Sequence, residues 1–325
     1  MNLSILLPAY NSERWLEDAL DSVLQQSHTT FELLAIDDGS TDATAQILER
    51  YAAKDPRIRV LSHPNWGMGA SLNHALAEAQ YDWIVRMDAD DVMLPDRLER
   101  QVAFVTENPD VMVASCLVRY IDANGQIVGS YTSDITTREV FQRHLRENRI
   151  IGFHHPGVIM KKDVVLAVGG YRPQYWSADD LDLWNRISER GHLMLVQPEY
   201  LMKYRVHGSS VSHQAARDQH MKVRWVEHSM LRRRAGKSEY SLEEFQAEER
   251  SGHPVQRFNL RRKDTGKILY KAATLHYSSG RKLKTVLILA GAIACFPSYC
   301  LLELNKKFLH VTLPGKHKTI SAHDG

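Results

Sequence analysis

The chain has 325 residues, 43% apolar and 25% charged, enough to bury one substantial core and still carry an appendage, which excludes disordered and fibrous classes. Its 41 basic and 39 acidic residues nearly cancel, so no global field points to nucleic acid. Cys116, Cys295 and Cys300 suit neither a disulfide framework nor a zinc site, and Pro8 and Asn11 interrupt the first apolar segment, so a reducing, cytoplasmic setting without an export signal is expected.

The first elements alternate. Leu3 to Leu7 reads as a buried strand and Glu13 to Gln26 as a helix with Trp15, Leu16, Ala19, Leu20, Val23 and Leu24 on its core face. Phe31 to Ile36 is a strand, Thr44 to Ala53 a helix, Ile58 to Leu61 a strand, Ser71 to Gln80 a helix and Trp83 to Arg86 a strand. This βαβ alternation predicts an α/β fold, a mostly parallel central sheet with helices on both faces, whose ligands bind at the carboxyl ends of the strands. Val111 to Tyr120 and Gln126 to Tyr131 flank Asp122-Ala123-Asn124-Gly125, a hairpin turn signal. Helices from Arg138 to Asn148 and Leu181 to Arg190 follow, then strands from Leu193 to Val196 and Tyr200 to Tyr204. Beyond about residue 215 the sequence turns basic and helix-favouring, which divides the chain into an α/β domain, 1–215, and a helical C-terminal region, 216–325, with an apolar segment at 285–302.

Three acidic clusters stand where strands end or helices begin. In Asp37 to Asp42, Asp38 is placed to accept hydrogen bonds from a ligand, whereas Asp42 reads as a helix cap. Asp88, Asp90 and Asp91 crowd three carboxylates into four residues, which a divalent cation would neutralise; hard oxygen ligands favour Mg²⁺ or Mn²⁺. Asp179, Asp180 and Asp182 open a helix, where a carboxylate can serve as a general base or only favour the helix dipole.

In this order the clusters resemble glycosyltransferase family 2, bacterial surface-polysaccharide type. Leu6-Leu7-Pro8-Ala9-Tyr10-Asn11 is similar to the family's opening strand, and Asp37 to Asp42 to its nucleoside loop. Asn65 to Gly69 with Leu72-Asn73, Arg86 to Asp91 and Pro95 to Glu99 match the following segments, so the resemblance spans roughly residues 3 to 212. It implies a GT-A fold and an inverting transfer of a hexosyl or N-acetylhexosaminyl group. By position, Pro8, Tyr10, Asn11, Asp38, Asn65, Arg86, Asp88, Asp91 and Arg205 bind the donor, Asp88, Asp90, Asp91 and His207 hold the metal, and Asp180 is the catalytic base. Tyr204 to Ser212 resembles an element that folds over the diphosphate. His154 and His155 are adjacent on an extended segment and point to opposite faces, so they make no second metal site; His155 is expected near the acceptor cleft.

The implied partners are a nucleotide-sugar donor, by preference a UDP-sugar, and a saccharide or lipid-linked acceptor. Thr285 to Leu302 carries no charge and lies between Arg281, Lys282 and Lys284 and the pair Lys306 and Lys307. Such a run suits an apolar wedge on an anionic leaflet, peripheral at the cytoplasmic face of the inner membrane; a buried helix completing the core is the alternative. Two other functions fit the same acidic set: a nucleotidyltransferase, which releases pyrophosphate, and a sugar-nucleotide-binding subunit without turnover.

Overall fold

The computed structural model describes residues 1–208, 215–278 and 282–311. The part of the Tyr204 to Ser212 element from Ser209 on, the flanking Arg281 and the side chains of Lys306 and Lys307 lie outside the described residues.

Strands β1 (Leu3–Ala9), β2 (Phe31–Asp37), β3 (Ile58–Ser62) and β4 (Trp83–Arg86) alternate with helices α1 (Leu16–Leu24), α2 (Thr44–Ala52) and α3 (Met68–Glu78). The strands pair in parallel in the order β3, β2, β1, β4. Every residue of β1 and β2 is buried, the pattern of strands covered on both faces. Helix α1 turns Leu16, Ala19, Leu20 and Val23 into that core, the i, i+3, i+4, i+7 face of an amphipathic helix.

The chain continues through β5 (Val92–Met93), α4 (Arg97–Glu107), β6 (Val111–Ile121), β7 (Ile127–Tyr131), α5 (Arg138–Arg146), β8 (Ile159–Lys161), α6 (Lys162–Ala167), α7 (Asp179–Glu189) and β9 (Leu193–Arg205). Beyond β4 the sheet runs β8, β6, β9, β5, with β7 paired to β6, and it becomes mixed: β8 is antiparallel to β4 and β6, while β6 and β9 are parallel. The predicted hairpin is β6–β7, its turn held by Asp122, whose Oδ1 accepts from the N–H groups of Asn124 and Gln126 at 2.9 Å each. The two predicted strands at 193–196 and 200–204 are one strand, β9, whose register against β6 slips where Cys116 pairs Gln197 and Leu117 pairs Tyr200. Pro198 falls in that slip; it has no N–H for a ladder and bulges out.

Two compact units emerge, 1–250 and 251–325. The change of sequence character near residue 215 follows the last strand, but α8 (Ala216–Arg234) and α9 (Leu242–Ser251, up to Arg250) belong to the first unit, where Trp225 and Val226 of α8 and Phe245 of α9 share a small core with Tyr175 and Ala178. The second unit contains α10 (Pro254–Ser278), α11 (Lys282–Cys295) and α12 (Pro297–Val311), packed around Tyr270, Ala292 and Cys300. Pro297 starts a new helix and divides the predicted apolar run, and among the described residues no helix is long and apolar enough to cross a membrane.

Candidate active site

At the carboxyl end of β4 the three carboxylates predicted as metal ligands converge. Ligand oxygens from Asp88, Asp90 and Asp91 all lie within 4.8 Å of one another. Asp91 is fully buried; its Oδ1 accepts from the Arg205 N–H at 2.8 Å, and its Oδ2 has no hydrogen-bond partner. Burial, then repulsion from Asp90 and Asp88, holds the Asp91 carboxyl well above the usual carboxylate range. Asp88 is raised by burial, against the pull of Arg86, whose guanidinium donates to its Oδ1 at 2.6 Å. Asp90 Oδ2 stands 2.7 Å from His207 Nε2. A buried orphan oxygen among three mutually repelling carboxylates fits a hard divalent cation such as Mg²⁺ or Mn²⁺, which would satisfy the one and offset the other.

Arg205 is buried, but its guanidinium is occupied by the Asp90 carbonyl at 2.8 Å and Asp18 at 3.0 Å. It ties the end of β9 to α1 and the acidic loop. Arg97, which the sequence offered only as part of a matching segment, is another fully buried guanidinium. It donates to Gln101 Oε1 at 3.0 Å and to the carbonyls of Arg86 at 3.1 Å and Val158 at 3.4 Å. The only signal available in the sequence was its position two residues after Pro95, in the first turn of a helix.

The nucleoside-loop residues gather at the ends of β1, β2 and β3. Asn11, at φ 48°, accepts from the Thr41 N–H at 2.8 Å, and its own N–H donates to Ser40 Oγ at 3.0 Å. Asp38 is 5% exposed and clamps the loop after β3: its oxygens accept from the Trp66 N–H at 2.7 Å and the Gly67 N–H at 3.0 Å. Each carboxylate oxygen has a second lone pair, so acceptor capacity remains. Gly39, at φ 75°, permits this close approach; a Cβ there would stand 2.6 Å from Asn65 N. Pro8 is buried in β1, Asn65 is exposed, and Tyr10 and Trp66 are 50% and 51% exposed around Asp38. Asp42 accepts from the Thr44 N–H at 2.9 Å, the capping role read from the sequence.

The third cluster opens α7. Burial and the neighbouring Asp179 push the Asp180 carboxyl up to about 7, and burial pushes Asp179 up to about 6. Asp179 Oδ2 is buried without a partner, beside the small Gly69 of α3. Asp180 Oδ1 accepts the Leu181 N–H at 2.7 Å. Asp182 is spent on structure, paired with Arg172 and with Arg186 at 2.8 Å. His155 Nε2 lies 2.8 Å from the Tyr171 hydroxyl, and burial, helped by the charges of Asp179 and Asp180, raises that phenol, so the histidine and tyrosine stand near the two aspartates.

The profile of Glycosyl transferase family 2 matches residues 4–168. The chain is 30% identical over 220 residues to the O-antigen biosynthesis glycosyltransferase WbnJ of Escherichia coli, covering 66% of this chain and 83% of that one. Among solved structures, S. aureus TarS 1-349 in complex with UDP-GlcNAc superposes with a TM-score of 0.54 at 17% identity, covering 94% of this chain and 93% of that one. The mannosyltransferase PcManGT from Pyrobaculum calidifontis, in complex with GDP-Man and Mn²⁺, gives 0.52 at 20% identity over 96% and 81%. Both likenesses are of fold, and they assign the curled mixed sheet to the GT-A type. With half of its length matched by the profile and most of a 30% identical relative covered, the chain belongs to glycosyl transferase family 2.

Proposed function

We propose that the protein transfers a hexosyl or N-acetylhexosaminyl group from a nucleotide-sugar, by preference a UDP-sugar, to a hydroxyl of a saccharide or lipid-linked saccharide, with inversion. The observation that carries this reading is the convergence of Asp88, Asp90 and Asp91 at the end of β4, with one buried carboxylate oxygen unsatisfied. Asp38, Tyr10, Pro8, Asn11 and Asn65 bind the nucleoside side of the donor. Asp88, Asp90, Asp91 and His207 would hold Mg²⁺ or Mn²⁺, which, when bound, supplies charge stabilisation for the departing nucleoside diphosphate. Arg86 and Arg205 bring positive charge to the same loop. Asp180 accepts the proton of the acceptor hydroxyl as its oxygen attacks the anomeric carbon; single displacement then inverts that carbon.

The biological setting proposed is assembly of surface polysaccharide, lipopolysaccharide or capsule, supported by the O-antigen relative. The proposed site of action is the cytoplasmic face of the inner membrane. Leu283, Val286 and Leu287 of α11 are 75%, 63% and 66% exposed, and the exposed Lys282 and Lys284 flank them, which matches an anionic leaflet in both polarity and charge. A panel of UDP-, GDP- and dTDP-sugars tests the donor reading: metal-dependent release of nucleoside diphosphate from one of them is expected. Release of pyrophosphate from a nucleoside triphosphate and a sugar 1-phosphate, assayed in parallel, would identify a nucleotidyltransferase instead, and binding without turnover on any acceptor a noncatalytic subunit.

A further inference from the structure

His154 and His155 turn to different partners, but not from one extended segment as the sequence suggested: His154 is extended and His155 opens a 3-10 turn, His155–Gly157, that Pro156 favours. His155 meets Tyr171 and Trp184 beside the α7 aspartates. The ring of His154 instead meets three tyrosines from three strands: Tyr204 of β9 at 4.5 Å between centroids, Tyr131 of β7 at 5.2 Å and Tyr120 of β6 at 5.8 Å. Tyr120 and Tyr204 lie 5.8 Å apart, close to edge-to-face at 71°. Arg205 turns toward Asp18 and Trp15, so Tyr204, the residue before it in β9, faces the opposite side of the sheet. All four residues are partly buried.

This group adjoins the proposed reaction centre. The Tyr131 hydroxyl donates to the Gly152 carbonyl at 3.4 Å, and a Cβ at Gly152 would stand 3.1 Å from Cδ1 of Leu181, the residue after Asp180. The Ser115 hydroxyl donates to the His154 carbonyl at 3.3 Å and fixes the segment from the sheet side. Gly152 thus stands between Tyr131 and Leu181, the chain neighbour of Asp180.

We propose that Tyr120, Tyr131, His154 and Tyr204 form an acceptor subsite that holds a hexopyranose ring of the saccharide acceptor by stacking, an inference that rests on the transferase reading above. One face of a pyranose exposes axial C–H bonds and is apolar, while its equatorial hydroxyls are polar. Partly buried tyrosines suit both: an apolar ring face for the sugar ring and a polar tip for its edge. The subsite selects for a ring-shaped sugar next to the reacting hydroxyl, over a simple alcohol or a lipid phosphate.

The test uses the full chain with UDP and Mg²⁺ and, as probes, methyl glycosides of glucose, galactose, mannose and N-acetylglucosamine, read by saturation-transfer NMR and by transfer kinetics. At least one glycoside is expected to receive saturation on its ring C–H protons. Tyr204→Ala and Tyr120→Ala should raise the half-saturating glycoside concentration about tenfold or more, the scale of losing an aromatic stacking contact. Tyr204→Phe should stay close to the parent. Tyr204→Leu keeps apolar volume for folding but removes the flat face, and should behave like Tyr204→Ala. UDP binding and UDP-sugar hydrolysis, measured on Tyr120→Ala, should be unchanged, because they report on the donor side. Glycoside binding unaltered in the Ala and Leu variants, or no binding of any probe by the parent, overturns the subsite. Loss of UDP binding and hydrolysis in the parent overturns the donor reading instead, a separate result.

Discussion

A carboxylic acid that must take a proton from a sugar hydroxyl is a poor base at its ordinary strength, and the pocket at the start of α7 corrects this for Asp180. Burial and Asp179 raise it to about 7, which makes it a stronger base but also keeps it protonated in acid. Activity should therefore rise with pH through an acidic limb at or below about 7, a bound cation nearby drawing the limb down. Asp180→Asn is expected to abolish that limb and slow transfer by roughly 10² to 10⁴ with donor binding kept, whereas Asp179→Asn should do much less. If the Asp179 variant is the dead one, the base shifts by one residue. At the metal cluster, Asp90→Asn removes a charged ligand, and Mn²⁺ affinity by calorimetry should fall together with turnover, by orders of magnitude; full activity in a chelator excludes the metal role. These aspartates were legible in the sequence because three acids in four residues after an apolar strand are conspicuous. Arg97 was not, because an arginine in a helix's first turn reads as solvated, and only the tertiary fold reveals that it is buried against the carbonyl of Arg86.

Elements position these residues, and α7 is held more firmly than its sequence discloses. Asp182, one turn into the helix and fully buried, pairs with Arg172 and Arg186, and Arg172 reaches on to Glu239 at 3.1 Å. The sequence presented Asp182 as another acid of the helix start, yet its partners are ten and four residues away and face it only after folding. Asp182→Asn takes from the buried Arg186 its carboxylate partner and should cost about 3–5 kcal/mol in chemical denaturation, with residual activity falling in parallel with the folded fraction. Helix α11 poses the converse case. Its apolar, uncharged character and the interruption at Pro297 were legible, since a proline cannot continue a helix, but the exposure of Leu283, Val286 and Leu287 was not. Val286→Glu combined with Leu287→Glu places two charges on that face and should abolish cosedimentation with anionic vesicles while donor hydrolysis is retained. Vesicle binding that survives the double substitution places the contact elsewhere.

At the scale of the whole molecule, the parallel half of the sheet was readable because β1 to β4 are apolar-rich runs alternating with helical segments. In the mixed half β6, β7 and β9 were readable too, but β8 and β5 were not: β8 has three residues and β5 two, too short for any periodicity, and they join the sheet only because β4, β6 and β9 already stand beside them. The boundary had the same weakness. Composition changes near residue 215, where the sheet ends, but compactness changes after Arg250, because α8 and α9 bury Trp225, Val226 and Phe245 with Tyr175 and Ala178. All the residues assigned to donor, metal and base lie in the first unit, and the exposed apolar face lies in the second. A chain ended after Gly252 should therefore fold, hydrolyse donor within about threefold of the full chain and lose its affinity for anionic vesicles. A chain ended near residue 215 should aggregate, since it exposes the surface that α8 and α9 cover. The comparison is made by size-exclusion chromatography, hydrolysis rate and vesicle cosedimentation on both truncations. Should the Gly252 truncation aggregate as well, the second unit is part of the catalytic core and α11 loses its claim to the membrane; should it fold but cease to hydrolyse donor, a residue beyond 252 belongs to the site.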